Sequence, residues 1–110
     1  MKITDILFDI VEKDLWVAAY RKNRVGGYLR VDFVNFLDVD DNDVIFRYIS
    51  EAELLHHIRF SGADTVLFDM QLSCSIAHLD SIYELIEPVE IYTFDDLVDM
   101  GMEAGDEDEE

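Results

Sequence analysis

The sequence predicts a small single α+β domain, a short antiparallel sheet with three to four helices. Three observations predict it. Apolar residues recur at helical spacing in some stretches and alternate in others. Capping and turn residues separate those stretches. The length of 110 residues, half of them hydrophobic, suits one core.

The elements follow in order. Thr4 is placed to cap a helix over residues 5–13, where Ile3, Ile6, Leu7, Ile10 and Val11 form one apolar stripe. Asp5 and Asp9 stand near its N-terminus, where the macrodipole favours them. Residues 15–20 fit helix or strand, and Trp16, Val17 and Tyr20 tilt them to strand. Gly26-Gly27 permits a turn. In residues 28–37, Leu29, Val31 and Phe33 alternate with Arg30 and Asp32, the pattern of a strand. Residues 38–43 read as a polar turn and 44–49 as the returning strand of a hairpin.

Ser50 and Glu53 make a capping box ahead of a helix over 51–60, closed by Gly62. Residues 65–70 read as a buried strand. Ser75 caps a helix over 76–87, with the stripe Ile76, Leu79, Ile82, Tyr83 and Ile86 and with Pro88 as its stop. Residues 89–92 form a short strand. Thr93 and Asp96 cap a last helical segment over 94–100, closed by Gly101. Residues 1–102 are thus an acidic α+β domain, and 103–110 an acidic tail expected to be disordered.

The charge is strongly biased: 26 Asp and Glu against 8 Lys and Arg give a formal −18. Residues 1–59 hold every Lys and Arg and carry a net −3, whereas 60–110 hold 15 acidic residues and no Lys or Arg. Direct nucleic-acid binding is disfavoured, because phosphates would be repelled. Anionic membrane surfaces are disfavoured for the same reason. No run approaches the ~20 apolar residues of a membrane span, and no signal peptide is expected. Cys74 is the single cysteine, which excludes an internal disulfide and a multi-cysteine zinc site. It suits a reducing, cytoplasmic setting. Arg21, Lys22, Arg24 and Arg30 fall in a stretch, 15–31, without an acidic residue. Internal ion pairing or solubility explains such a patch. The sharper alternative is contact with an acidic patch on a partner or a second copy.

Few constellations point to catalysis. Asp38, Asp40 and Asn42 match the first three ligand positions of an EF-hand loop, but Asp43 stands where Gly belongs and Ile49 where Glu belongs. A turn explains the same residues. His56 and His57 are adjacent on a helix and point roughly 100° apart, and His78 is alone. Cys74 and His78 are four apart, with Asp80 following, a spacing compatible with an activated thiolate. No glycine-rich oxyanion turn accompanies them, and no phosphate-binding glycine motif occurs. No enzyme, cofactor or metal is expected.

The carboxylates carry more. On the helix expected over 76–87, Asp80, Glu84 and Glu87 stand at i, i+4 and i+7, with no basic partner on that helix. Asp95, Asp96 and Asp99 repeat the pattern, and Glu90 lies between the two groups. Asp38, Asp40, Asp41 and Asp43 form a second acidic edge. Carboxylates one helical turn apart are roughly 6 Å from each other, a spacing comparable to successive phosphates of a nucleic-acid strand. These residues are the expected contacts to a basic nucleic-acid-binding protein or nuclease, with Tyr83 or Tyr92 as an aromatic anchor. Solubility is the competing explanation.

In size, charge and acidic C-terminal tail the chain resembles the phage-encoded DNA-mimic proteins that neutralise host restriction or CRISPR systems. That resemblance implies an anti-CRISPR or anti-restriction inhibitor acting by protein–protein interaction in the host cytoplasm. Two alternatives stand beside it. One is an immunity protein or antitoxin for a cognate nuclease toxin. The other is a structural or assembly protein that dimerises through an apolar face near Trp16, Phe33 and Phe36.

Overall fold

The middle of one strand is buried on both sides, and the fold is built around it. The computed structural model describes residues 2–61 and 71–108, with side chains for 2–60 and 71–102. β2 (Tyr28–Asp40) lies between β1 (Trp16–Lys22) and β3 (Asp43–Ser50). Residues 32–36 of β2 are all buried. Because side chains alternate along a strand, this needs cover on both faces. β4 (Leu72–Ser75) extends the sheet beyond β3. The far edge of β1 is shared by two short strands, β5 (Tyr83–Glu84) and β6 (Ile91–Tyr92). Every pairing is antiparallel.

Helices cover both faces. A 3-10 turn (Ile3–Asp5), α1 (Leu7–Lys13) and α3 (Ile76–Ile82) place Ile3, Leu7, Ile10 and Leu79 on Val17, Ala19, Val34 and Phe36. On the opposite face, α2 (Glu51–Ser61) and α4 (Phe94–Asp108) place Leu54, Ile58 and Leu97 on Trp16, Ala18 and Phe33. β1 serves both clusters by sending Trp16 and Ala18 one way and Val17 and Ala19 the other. Each fully buried large side chain contributes about 1.5–3 kcal/mol. The chain is thus a small single α+β domain, with four helices and an antiparallel sheet among the described residues.

Two polar residues are buried at the centre of β2, and each is satisfied. Asn35 donates from Nδ2 to Asp14 Oδ1 at 3.0 Å and to the Leu15 carbonyl at 2.8 Å, and its Oδ1 accepts from Arg47 Nε at 2.9 Å. Asp32 accepts from Arg30 Nε at 2.7 Å and from the Tyr83 hydroxyl at 2.5 Å. Among the described residues, no buried side-chain polar atom lacks a partner.

The largest departure from expectation lies in the third helix. It does not run to residue 87: α3 ends at Ile82, and Tyr83 is extended at φ −124°, ψ 148°. The reason is burial with period two. Tyr83 and Leu85 turn inward while Glu84 stays exposed and pairs with Tyr20 of β1. The Tyr83 hydroxyl also meets Asp32, a buried carboxylate on the neighbouring strand. A helix through this segment would forfeit both the core contacts and that hydrogen bond.

Smaller corrections follow the same logic. Thr4 lies inside the 3-10 turn and caps nothing; Asp5 instead accepts the Lys2 backbone N–H at 2.9 Å. The turn expected over 38–43 shrinks to Asp41 and Asn42, with Asp40 paired to Asp43. Asp41 takes the left-handed conformation there, at φ 52°, which Asp tolerates better than most residues. Cys74 lies on β4, an unexpected strand, rather than in a segment leading to a cap. Trp16, Phe33 and Phe36 are each 1% exposed, so they form no apolar face for dimerisation.

Gly101 does not close the last helix. α4 continues past it to Asp108, and a Cβ at Gly101 would come within 2.5 Å of Ile58 Cδ1. The glycine lets α4 press against α2. The strand expected over 65–70, the closing Gly62 and the last two residues of the tail lie outside the described residues.

The Thr93 cap forms as expected, and of the Ser50–Glu53 capping box the Ser50 half forms. Ser50 Oγ accepts the Glu53 N–H at 3.2 Å. Thr93 and Asp96 exchange reciprocal hydrogen bonds, at 3.0 and 3.2 Å.

Candidate functional site

The fold divides the expected contact residues among separate regions. Asp80, Glu84 and Glu87 share no helical stripe, since only Asp80 is on α3. The Asp80 carboxylate accepts the Ile3 N–H at 3.2 Å and so ties down the N-terminal turn. Glu84 accepts the Tyr28 hydroxyl, which pushes that phenol up, by the hydrogen bond first. Asp80, Glu84 and Asp5 line an open recess of about 460 Å³ together with Lys2 and Lys22. Lys22 Nζ donates to the Asp80 carbonyl at 3.1 Å. The acidic residues of this region are therefore partly neutralised and partly spent on the fold. Glu87 is exposed and outside the recess.

Asp38, Asp40, Asp41 and Asp43 are exposed at the end of the β2–β3 hairpin. Asp38 accepts only the neighbouring Val39 N–H, at 2.9 Å. Asp38 and Asp40 sit in a strand, so the loop path of an EF-hand is not followed. Among the described residues, no three His, Cys, Asp or Glu side chains group as a metal site.

The third group lies on one stretch of chain. Glu90, Asp95, Asp96 and Asp99 lie at the start of α4 or just before it. Asp95 and Asp99 are exposed, one helical turn apart, and make no side-chain hydrogen bond among the described residues. Their helix is held from beneath by Leu97, which is fully buried against Trp16 and Phe33. Glu90 accepts the Tyr92 hydroxyl at 2.6 Å, and that bond is the first cause of the Tyr92 phenol being pushed up to about 12. The Tyr92 ring packs on Phe33, with centroids 5.8 Å apart, and Phe33 pairs with Ile49, two residues before α2 begins, so the start of α2 lies near Tyr92. Farther along, Gly101 meets Ile58. α2 and α4 therefore run in the same direction, with their first turns at one end.

That shared end holds exposed Glu51 and Glu53 of α2 beside Glu90, Asp95 and Asp96. Two helix N-termini favour this many carboxylates, since their partial positive charges offset part of the repulsion. Sequence reasoning missed Glu51 and Glu53 as surface groups. The signal was there: the capping box that starts α2 places both in its first turn.

The remaining candidates do not assemble. Tyr83 is 2% exposed and cannot anchor an interface, whereas Tyr92 is half-buried beside the acidic end. Cys74 is half-buried, and its thiol is pushed up by burial first and by the Asp43 charge second. It stays protonated at neutral pH, which makes it a poor nucleophile. Cys74 and His78 face one pocket but share no hydrogen bond among the described residues. The basic stretch is partly consumed internally. Arg30 pairs with Asp32, and its guanidinium is held protonated by that partner in spite of desolvation.

No family of known proteins, no curated protein and no solved structure matches the chain. No helix among the described residues is long and apolar enough to cross a membrane.

Proposed function

We propose that the protein is an inhibitor that docks its α2–α4 end on a basic nucleic-acid-binding protein and excludes DNA or RNA from the groove. The observation that carries this reading is the end shared by α2 and α4. Glu51, Glu53, Glu90, Asp95, Asp96 and Asp99 stand there or on the adjoining turn of α4, on a chain with no Lys or Arg after Arg59. The carboxylates are exposed, Asp95 and Asp99 make no side-chain hydrogen bond among the described residues, and the helices beneath are fixed by Leu54, Ile58 and Leu97. Pre-positioned charge of one sign speeds encounter with a basic groove and needs little rearrangement on binding. An anti-restriction or anti-CRISPR inhibitor would work in this way.

The test is a double charge reversal, Asp95→Lys with Asp99→Lys, in a binding assay against basic DNA-binding proteins and nucleases. The wild type should bind with an affinity that falls steeply with salt, and the variant should lose binding while keeping its fold. Binding that ignores both salt and the reversal would overturn the proposal. Inhibition of one nuclease toxin only, without competition by nucleic acid, would point to an immunity protein instead.

A further inference from the structure

On the α1–α3 face, one guanidinium, that of Arg21, has no carboxylate partner among the described residues and is engaged only by the Tyr83 side chain. Asp32, the only carboxylate fully buried among the described residues, is matched by Arg30 and the Tyr83 hydroxyl. Arg21 stands opposite Arg30 in the β1–β2 register and lies over the Tyr83 ring at 5.8 Å. It makes no ion pair with a carboxylate among the described residues. Two guanidiniums and one carboxylate leave a local positive excess in a chain of formal charge −18.

Arg21 opens on a pocket of about 250 Å³ between α3 and the β1, β3 and β4 strands, and no Asp or Glu among the described residues lines it. Phe46, Leu72 and Ile82 supply an apolar wall. Phe46 and Tyr48 are stacked, with ring centroids 6.4 Å apart and planes at 29°, which flattens that wall. Tyr48 also lines the pocket, and its hydroxyl makes no hydrogen bond among the described residues.

We propose that this pocket binds a small organic carboxylate with a flat apolar body, its charge on Arg21 and its body against Phe46, Leu72 and Ile82. A guanidinium presents a planar fork that matches a carboxylate with two parallel hydrogen bonds. Tyr48, which also lines the pocket, has a hydroxyl that can donate a further hydrogen bond. The volume falls below the ~300–1,000 Å³ of drug-sized ligand pockets, so the ligand is small. Inorganic phosphate would satisfy Arg21 but leave the apolar wall uncovered, which favours an organic anion. The inference is independent of the acidic end and does not rest on the inhibitor reading.

Cys74 lines the same pocket and is the only cysteine, so it reports occupancy. Benzoate is the probe. It should slow alkylation of Cys74 by neutral iodoacetamide in a saturable way. Arg21→Gln should weaken that protection by about tenfold or more, as for loss of a hydrogen bond to a charged group. Arg24→Gln, which lies outside the pocket, should leave it unchanged. Should Arg21→Gln fail to fold, benzoate-induced NMR shifts of the wild type decide the matter: they should concentrate on Arg21, Tyr48 and His78. Absent protection with absent or scattered shifts would overturn the proposal. Equal protection by inorganic phosphate would overturn the carboxylate assignment and leave an adventitious ion only.

Discussion

On the α1–α3 face of the sheet, Asp32 is fully buried and holds both Arg30 and Tyr83. On the α2–α4 face, Asp95 and Asp99 stand in solvent with no side-chain hydrogen bond among the described residues. Both sets are aspartates in a strongly acidic chain, yet they do opposite work. The buried one is neutralised and fixes a strand, a tyrosine and an arginine in place. The exposed ones carry unrelieved charge on a helix that other residues hold. Formal charge therefore says little until each carboxylate is located. In this chain Asp32 and Asp80 serve the fold near the basic stretch, whereas on the α2–α4 end Glu90 and Asp96 make local hydrogen bonds and Asp95 and Asp99 make none among the described residues.

Substitutions can break or sharpen this contrast, and the largest effect belongs to the buried aspartate. Asp32→Ala leaves the Arg30 guanidinium and the Tyr83 hydroxyl without their partner. Arg30 is partly exposed and recovers some hydration, so the expected loss is about 2–3 kcal/mol in urea unfolding, at the low end for a broken buried pair. Asp99→Ala should stay within about 0.5 kcal/mol of wild type in the same experiment.

Tyr83→Phe comes next, with an expected cost of about 1–2 kcal/mol for one buried hydrogen bond to a charged group. It also has a pH signature. Burial first, and the Asp32 carboxylate second, push the Tyr83 phenol well above its ordinary 10.0. The folded state then holds the proton more tightly than the unfolded one. The stabilisation is complete below pH 10.0 and falls as pH climbs beyond it toward the raised folded value. Tyr92, raised to about 12, adds loss of the same sign between 10.0 and about 12. Unfolding free energies measured from pH 9 upward should decline less steeply in Tyr83→Phe than in wild type.

Gly101→Ala probes the packing beneath the acidic helix. Overpacking against Ile58 costs about 1–3 kcal/mol, and the better helix propensity of Ala returns about 1 kcal/mol. A net loss of about 1 kcal/mol is expected in urea unfolding. Ile58→Val removes Cδ1, the atom at 2.5 Å, and should cost less in the Gly101→Ala background than in wild type. A double-mutant cycle measures that coupling directly. The smallest effect on stability belongs to Asp95→Lys with Asp99→Lys, within about 0.5 kcal/mol per site, although this pair should have the largest effect on binding.

Much of the fold was legible because local chemistry and tertiary packing agreed. Ile3, Leu7 and Ile10 form the inner stripe of the first turn and α1, the β2–β3 hairpin falls on its alternating residues, and Ser50, Thr93 and Asp96 cap as read. The expected site was less legible, and Tyr83 shows why. Ile82, Tyr83 and Ile86 fit a helical stripe, but Tyr83 and Leu85 also fit an alternating pattern that buries two large side chains. What decided between them was Asp32, about fifty positions away in sequence, whose burial no local pattern announces. Gly101 misled in the same way: a glycine at an expected helix end is indistinguishable, in sequence, from one that makes room for Ile58. The grouping of Glu51 with Glu90 and Asp95 depends on the parallel course of α2 and α4, which is a tertiary fact.

An acidic end that takes the place of nucleic acid on a basic partner must compete with it for one surface. A direct measurement is competition: the complex with a basic DNA- or RNA-binding protein, formed at low salt, is titrated with duplex DNA and with RNA. The partner's own nucleic acid should displace the inhibitor in full, with a midpoint that shifts in proportion to inhibitor concentration. A complex that stays intact at saturating DNA and RNA would contradict it, since the two ligands would then occupy different surfaces.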